Sequence, residues 1–137
     1  MDVFILDACA LIAYLRKEEG NQKVVHSFDR AINQQIKILL HAASLSEVYY
    51  DFLKVSDKKA ANDILTDGHH LPIELIDQIS MEMIKQMGYF KTTYKISFAD
   101  SFVLATATLN NAKVITSDHH EFDVIEESGD MAFEWIR

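Results

Sequence analysis

Apolar residues arrive along this chain in two rhythms. Val3 to Leu6 and Ile36 to Leu40 are short, nearly unbroken apolar runs of the kind that form strands covered on both faces. Lys113 to Thr116 reads as a further strand, Leu71 to Ile76 with Pro72 near its start as a third candidate in chain order, and Ala132 to Ile136 as a last edge strand. Between them the period lengthens. Ala8 to Leu15 continues from the first run with helix formers, and after Gly20 the residues Val24, Val25, Phe28 and Ile32 recur at helical spacing. Ser44 with Glu47 matches a capping box, and the stripe Val48, Phe52, Val55 carries it into a helix. A further helix is expected from Asp57 to Leu65, closed by the Asp67-Gly68 turn. Gln78 to Phe90 carries a helical face of Ile79, Met83, Ile84 and Met87, expected to fill core. Ser97 with Asp100 forms a second capping signature, opening a helix with the face Phe102, Leu104, Ala105, Thr108 and Leu109 that Asn110-Asn111 closes.

Strands alternating with helices predict an α/β fold: a three-layer α/β/α arrangement around a central, mostly parallel sheet of four to five strands. The 137 residues match one ordinary domain, and an apolar fraction of 49% is ample for its core. One proline, four glycines and the absence of a low-complexity stretch leave no long linker, so residues 1–137 are expected to form a single domain. The opening MDVFILDACALIAYL is interrupted by Asp2 and Asp7 and lacks a basic lead, which favours a buried strand and helix over a secretory signal. No run reaches the roughly 18 apolar residues that span a bilayer. The expectation is a soluble, cytoplasmic protein with no membrane partner.

Charge and cysteine usage narrow the chemistry. Cys9 is the lone cysteine, so no intrachain disulfide is possible, and its apolar helical context makes it packing rather than a nucleophile. A net charge of −8 argues against holding nucleic acid on a broad basic face. It leaves room for a nuclease whose own acids are neutralised by bound cations.

Four acids stand where an apolar run ends or a helix begins: Asp7, Glu47, Asp100 and Asp118. Each has a structural explanation, since Asp7 can cap the next helix, Glu47 and Asp100 fall at the third position of capping boxes, and Asp118 sits in a polar turn. Taken together they point further. In an open α/β sheet, strand ends and helix starts gather along one edge, so acids distant in sequence converge there. Converging carboxylates stay ionised only if a cation joins them, and an all-oxygen donor set suits Mg²⁺ or Mn²⁺. Such an ion activates water toward a phosphodiester, so the reaction class is metal-assisted hydrolysis. Other phosphate chemistries fit less well: the position two after Asp7 is Cys9, and no glycine-rich phosphate loop occurs.

The segments ILDACALIAYL, SEVYYDFLK and above all ISFADSFVLATATLNNAKVITSDHHEF resemble a PIN domain of the VapC toxin type, over essentially the whole chain and in the expected order. The resemblance implies that Asp7, Glu47, Asp100 and Asp118 bind Mg²⁺ or Mn²⁺ and cut RNA. It further implies a homodimer and a cognate antitoxin as partner. Two departures stand out: Ala8 replaces the small hydroxyl residue often found after the first acid, and His119-His120 intervene before Glu121. Glu121 is a candidate fifth ligand, Thr116 a candidate to orient the site through its hydroxyl, and the histidine pair reads as exposed loop. Arg16, Lys17, Lys54, Lys58 and Lys59 are candidate RNA contacts or else a solvated helix face. Tyr14, Tyr49 and Tyr50 are candidate base stackers, although the last two are expected to pack within their helix. Tyr14, Leu15, Phe52 and Met87 are candidate apolar surface for a partner. The expected products are a 5′-phosphate and a 3′-hydroxyl. The rival functions are a catalytically weak or inactive PIN-like RNA- or protein-binding module, and a DNA-directed nuclease.

Overall fold

The computed structural model describes residues 1–137, the side chains of Asp67 and His69 excepted. In chain order its elements are β1 (Asp2–Leu6), α1 (Ala8–Leu15), α2 (Asn21–Ile32), β2 (Ile36–His41), α3 (Ala42–Lys54), α4 (Lys58–Asp67), β3 (Glu74–Ile76), α5 (Met81–Thr93), α6 (Phe98–Leu109), β4 (Lys113–Thr116), α7 (His119–Ser128) and β5 (Phe133–Trp135). The strands form one five-stranded sheet in the order β3-β2-β1-β4-β5. Every pairing is parallel.

Alternation along β1 builds the layers. Phe4 and Leu6 face one way and pack with Ile36, Ile38 and Leu40 of β2 against α1, α2, α3 and α4. Ile5, with Val114 of β4, faces the other way into Phe90, Val103, Leu104, Phe122 and Ile125 from α5, α6 and α7. Both faces of the sheet are therefore covered, which is why its strands read as continuous apolar runs. Burying each such Leu, Ile or Phe contributes roughly 1.5–3 kcal/mol.

Several elements depart from their sequence-based expectations. The strand expected over Leu71 to Ile76 is confined to Glu74–Ile76, because an edge beginning after Pro72 lacks a donor there. The helix expected from Gln78 starts instead at Met81, capped by the Ser80 hydroxyl on the Met83 N–H, so Ile79 lies outside it and is exposed. Met83 of the expected stripe is buried, Met87 is half-buried, and Ile84 is exposed. In α2, Val24 and Phe28 are buried while Val25 and Ile32 face solvent, and Val55 likewise points away from the core. In α6 the residues from Asp100 to Ala107 are all buried, so this helix has no apolar stripe; Thr108 and Leu109, expected inside, are exposed in its last turn.

Two helix starts differ most. β2 runs straight into α3 with no loop, and His41, not Ser44, is the cap: its Nδ1 accepts the Ala43 N–H at 3.0 Å. Ser44 is buried inside the first turn, which carries Glu47 into the second turn rather than to a capping position. The His119-His120 pair and Glu121, which read as loop in the sequence, open helix α7, with Asp118 accepting the Glu121 N–H at 3.1 Å. The D-x-x-E spacing, Phe122 and Ile125 at helical separation and Gly129 at the end carry that signal, which the polar His119-His120 pair obscures.

Candidate active site

The strand order reverses beside β1: the chain steps outward through β2 and β3, then returns to place β4 on the other side of β1. At such a reversal, the carboxyl ends of the flanking strands, here β1 and β4, are the usual ligand position in open parallel sheets. Asp7 follows the last residue of β1, and its N–H donates to the Ile115 carbonyl of β4 at 3.2 Å. Asp118 follows β4 and opens α7. Asp100 lies in the first turn of α6, where the Ser97 hydroxyl accepts its N–H at 3.1 Å. Glu47 comes from α3, whose cap is the last residue of β2.

Hydrogen bonds knit three of these starts together. Asp7 Oδ1 accepts the Ala10 N–H at 2.8 Å, which caps α1. Its Oδ2 accepts the Thr116 hydroxyl in a short bond. Thr116 Oγ in turn accepts the Asp118 N–H at 2.9 Å, so one buried hydroxyl fixes the ends of β1 and β4 relative to each other. Glu121 reaches across from α7, accepting the Ser97 N–H at 3.2 Å and thereby holding the α6 cap.

Electrostatics shows that these acids share one neighbourhood. Asp7 is 1% exposed, and burial pushes its carboxyl up to about 7, with Thr116 and Ala10 opposing and Asp118 and Glu47 adding to the rise. Burial raises Asp100 to about 8, assisted by Asp7, Glu47, Asp118 and Glu121. Glu47 is half-buried and also raised, by burial first and then by Asp118, Glu121 and Asp51. The charges that act most on these three are all acidic. No basic group is among the leading influences on these three carboxyls, and a buried carboxylate without a counter-charge is costly.

The donor chemistry, all carboxylate with one hydroxyl, suits a hard divalent cation that keeps some of its waters. The side chains form an electrostatic group rather than a ready-made cage: among the described residues no three His, Cys, Asp or Glu gather into a group able to hold a metal ion as they stand. Closing the shell therefore requires side-chain adjustment of Glu47, Asp118 or Glu121, which are only partly buried. Cys9 lies close enough for Asp7, Asp118, Asp100 and Glu47 to act on it. Burial and those acids drive its thiol strongly upward, so it is no nucleophile.

Most of the basic candidates are paired with acids or rings outside the four-acid set. Arg16 pairs with Asp51 at 2.7 Å and lies over the Phe52 ring, 4.5 Å from its centroid. Lys54 is 3.9 Å from Asp51 and covers the Tyr50 ring at 5.5 Å. Lys59 pairs with Asp63 at 2.9 Å, while Lys17 and Lys58 are exposed. Tyr49 packs against the core as expected, but Tyr50 faces solvent; Tyr14 is half-buried, edge-on to Phe28. Phe52 is largely buried in the core, reaching the surface only where it lines a groove with Tyr14 and Leu15. His119 is exposed but engaged, with Nδ1 2.7 Å from Asp123, Nε2 2.8 Å from the Arg137 carbonyl, and its ring stacked on Trp135. His41 was not anticipated at all. It is buried and stacked on Phe102 with centroids 5.1 Å apart, and burial holds its imidazole below the usual value. The neutral Nε2–H form fits, because Nδ1 accepts from Ala43 while Nε2 faces the Gln78 carbonyl at 3.4 Å.

Known proteins share this architecture. The VapBC complex of Salmonella typhimurium, solved bound to DNA, aligns with a TM-score of 0.74 at 16% identity, covering 100% of each chain. VapBC2 of Rickettsia felis, bound to a promoter DNA fragment, gives 0.73 at 16% identity over 97% of this chain and 98% of that one. The sarcin-ricin-loop-cleaving toxin VapC20 of Mycobacterium tuberculosis gives 0.64 at 10% identity over 94% and 96%. No curated protein matches the chain significantly. No helix among the described residues is long and apolar enough to cross a membrane. PIN domain proteins are generally nucleases that use divalent metals, which is the chemistry an uncompensated acidic crevice at these strand ends calls for. The PIN domain pattern matches residues 4–127, from the first buried strand through α7, and the chain belongs to the PIN domain family.

Proposed function

We propose that this protein is a Mg²⁺- or Mn²⁺-dependent endoribonuclease, the toxin of a VapC-type toxin-antitoxin pair. The observation that supports it most is that Asp7 and Asp118, just beyond the ends of β1 and β4, and Glu47 and Asp100, in α3 and α6, act on one another's charge while the leading charges on them are all acidic. Asp7, Asp100 and Asp118 would hold the ion, with Glu47 and Glu121 at the rim. When bound, the ion supplies charge neutralisation at the phosphate and acidifies water for attack on phosphorus. The chain's part is orientation: Thr116 and the α1 cap fix both oxygens of Asp7, and Ser97 fixes the backbone of Asp100. Glu47, partly open to solvent, would accept the proton from attacking water.

The test is cleavage of matched RNA and DNA strands with Mn²⁺, followed by analysis of the ends. RNA fragments with a 5′-phosphate and 3′-hydroxyl are expected. A 2′,3′-cyclic phosphate contradicts direct attack by water, and preferential DNA cleavage contradicts the substrate. The absence of a ready-made ion cage favours a second reading, a PIN-like module that binds RNA or protein without cutting. Mn²⁺ binding without any strand scission would select it.

The antitoxin and homodimer belong to the same proposal. Tyr14 and Leu15 line a groove of about 480 Å³ between α1, α3 and α4, with Phe52 and Ile64 among its lining residues. It offers apolar surface for a partner segment, as expected for a toxin silenced by its antitoxin.

A further inference from the structure

We infer that Phe98 is a stacking platform for a nucleobase of the single-stranded RNA whose phosphodiester is cut at the acid cluster, a positioning residue that rests on the nuclease reading above. Phe98 opens α6, two residues before Asp100, and is 62% exposed. Among the described residues it is the exposed phenylalanine; the other exposed aromatic rings are already engaged. Lys54 covers Tyr50, and the Tyr89 hydroxyl donates to Asp130 at 2.6 Å.

The ring is braced from beneath. Phe98 meets Phe102 edge-on, with centroids 5.1 Å apart at 81°, and buried Phe102 stacks on His41 at 5.1 Å and 9°. This aromatic row runs from the sheet's carboxyl edge at the end of β2 outward to solvent. Phe102 packs in a cluster with Met83 and Met87 of α5, Ile76 of β3 and Ala43 of α3. His41 is itself fixed by the Ala43 N–H and the Gln78 carbonyl, so the base of the row is rigid. A braced, exposed ring next in the chain to Ser97, whose N–H meets Glu121, and two residues before Asp100 matches how proteins hold unstacked bases: the backbone is tracked by charge and the bases lie on aromatic faces. An exposed phenylalanine has no hydrogen-bonding group, so the contact accepts any base and favours unpaired strands over duplex.

The experiment compares wild type with Phe98→Ala, Phe98→Leu and Phe98→Trp. It uses a short single-stranded oligoribonucleotide carrying 2-aminopurine, in Mn²⁺, and reads KM and kcat of cleavage together with quenching of the base's fluorescence on binding. The Ala and Leu variants are expected to raise KM about ten-fold with kcat little changed and to lose the quenching, while Trp restores both. The proposal is overturned if Ala leaves KM and quenching unaltered, or if Leu restores them as well as Trp does. It is also overturned if the wild type binds no RNA, or if Ala changes only self-association, which assigns the ring to a protein interface. The two readings separate cleanly: a wild type that quenches but never cuts loses the nuclease assignment and keeps the platform. One that cuts with Phe98 irrelevant does the reverse.

Discussion

Thr116 touches two of the acids at once, donating to Asp7 and accepting from the Asp118 N–H. Thr116→Val preserves shape and deletes both contacts, so Asp7 loses the hydroxyl that lowers its pKa and shifts further up from about 7. Since the ionised form binds the cation, Mn²⁺ affinity should fall by about 10–100-fold, and the acid limb of the pH-rate profile should move to higher pH. An unmoved profile would mean that Thr116 is merely core. Asp100→Asn should cut cleavage by at least about 100-fold while the fold persists, checked by circular dichroism alongside the cleavage assay. At this scale much was legible. An acid directly after an apolar strand, as at Asp7, or opening an alanine-rich helix, as at Asp100, is locally anomalous. His41 was not legible, because a histidine closing a buried strand looks the same in sequence whether or not its ring nitrogen caps a helix.

Elements decide where those residues meet. The parallel order and the two covered faces followed from the alternation of strand and helix, since parallel strands buried on both sides must be apolar throughout. What the sequence hid were starts and faces: α3 begins at the end of β2 rather than at a capping box, and α6 is buried all round rather than striped. Tertiary packing overrode local signals in both places. The α1–α2 turn provides a test at this scale. Gly20 adopts φ +91°, and a Cβ there would stand 2.5 Å from the Ile136 carbonyl oxygen at the end of the sheet. Gly20→Ala adds left-handed strain of roughly 1–2 kcal/mol to that backbone clash, so denaturant unfolding should show a loss of at least this size. Gly129→Ala is the control. It shares a positive φ but meets nothing within 4 Å, so its loss should be limited to the strain.

For the whole molecule, the acidic crevice makes stability depend on pH in a direction opposite to that of ordinary salt-bridged acids. Asp7 and Asp100 are raised from 3.8 to about 7 and about 8, so the folded chain binds more protons than the unfolded one between those limits. Their contribution is present at low pH and is lost as pH rises through the folded values, a decline of a few kcal/mol in the metal-free protein. Asp100→Asn removes one of the two, so in metal-free buffer its Tm should exceed that of wild type near pH 9 and converge with it near pH 3. A cation that joins the acids offsets the same loss, so the rise in Tm on adding Mn²⁺ should be larger near pH 8 than near pH 5.

Calorimetric titration of Mn²⁺ into the wild type and into the Asp7→Asn, Asp100→Asn and Asp118→Asn variants tests the central claim most directly. If these three acids, brought together from distant parts of the chain, share in holding a cation, the wild type binds Mn²⁺ and each variant loses that binding. Wild-type protein that takes up no Mn²⁺, or variants that bind it undiminished, would contradict the claim.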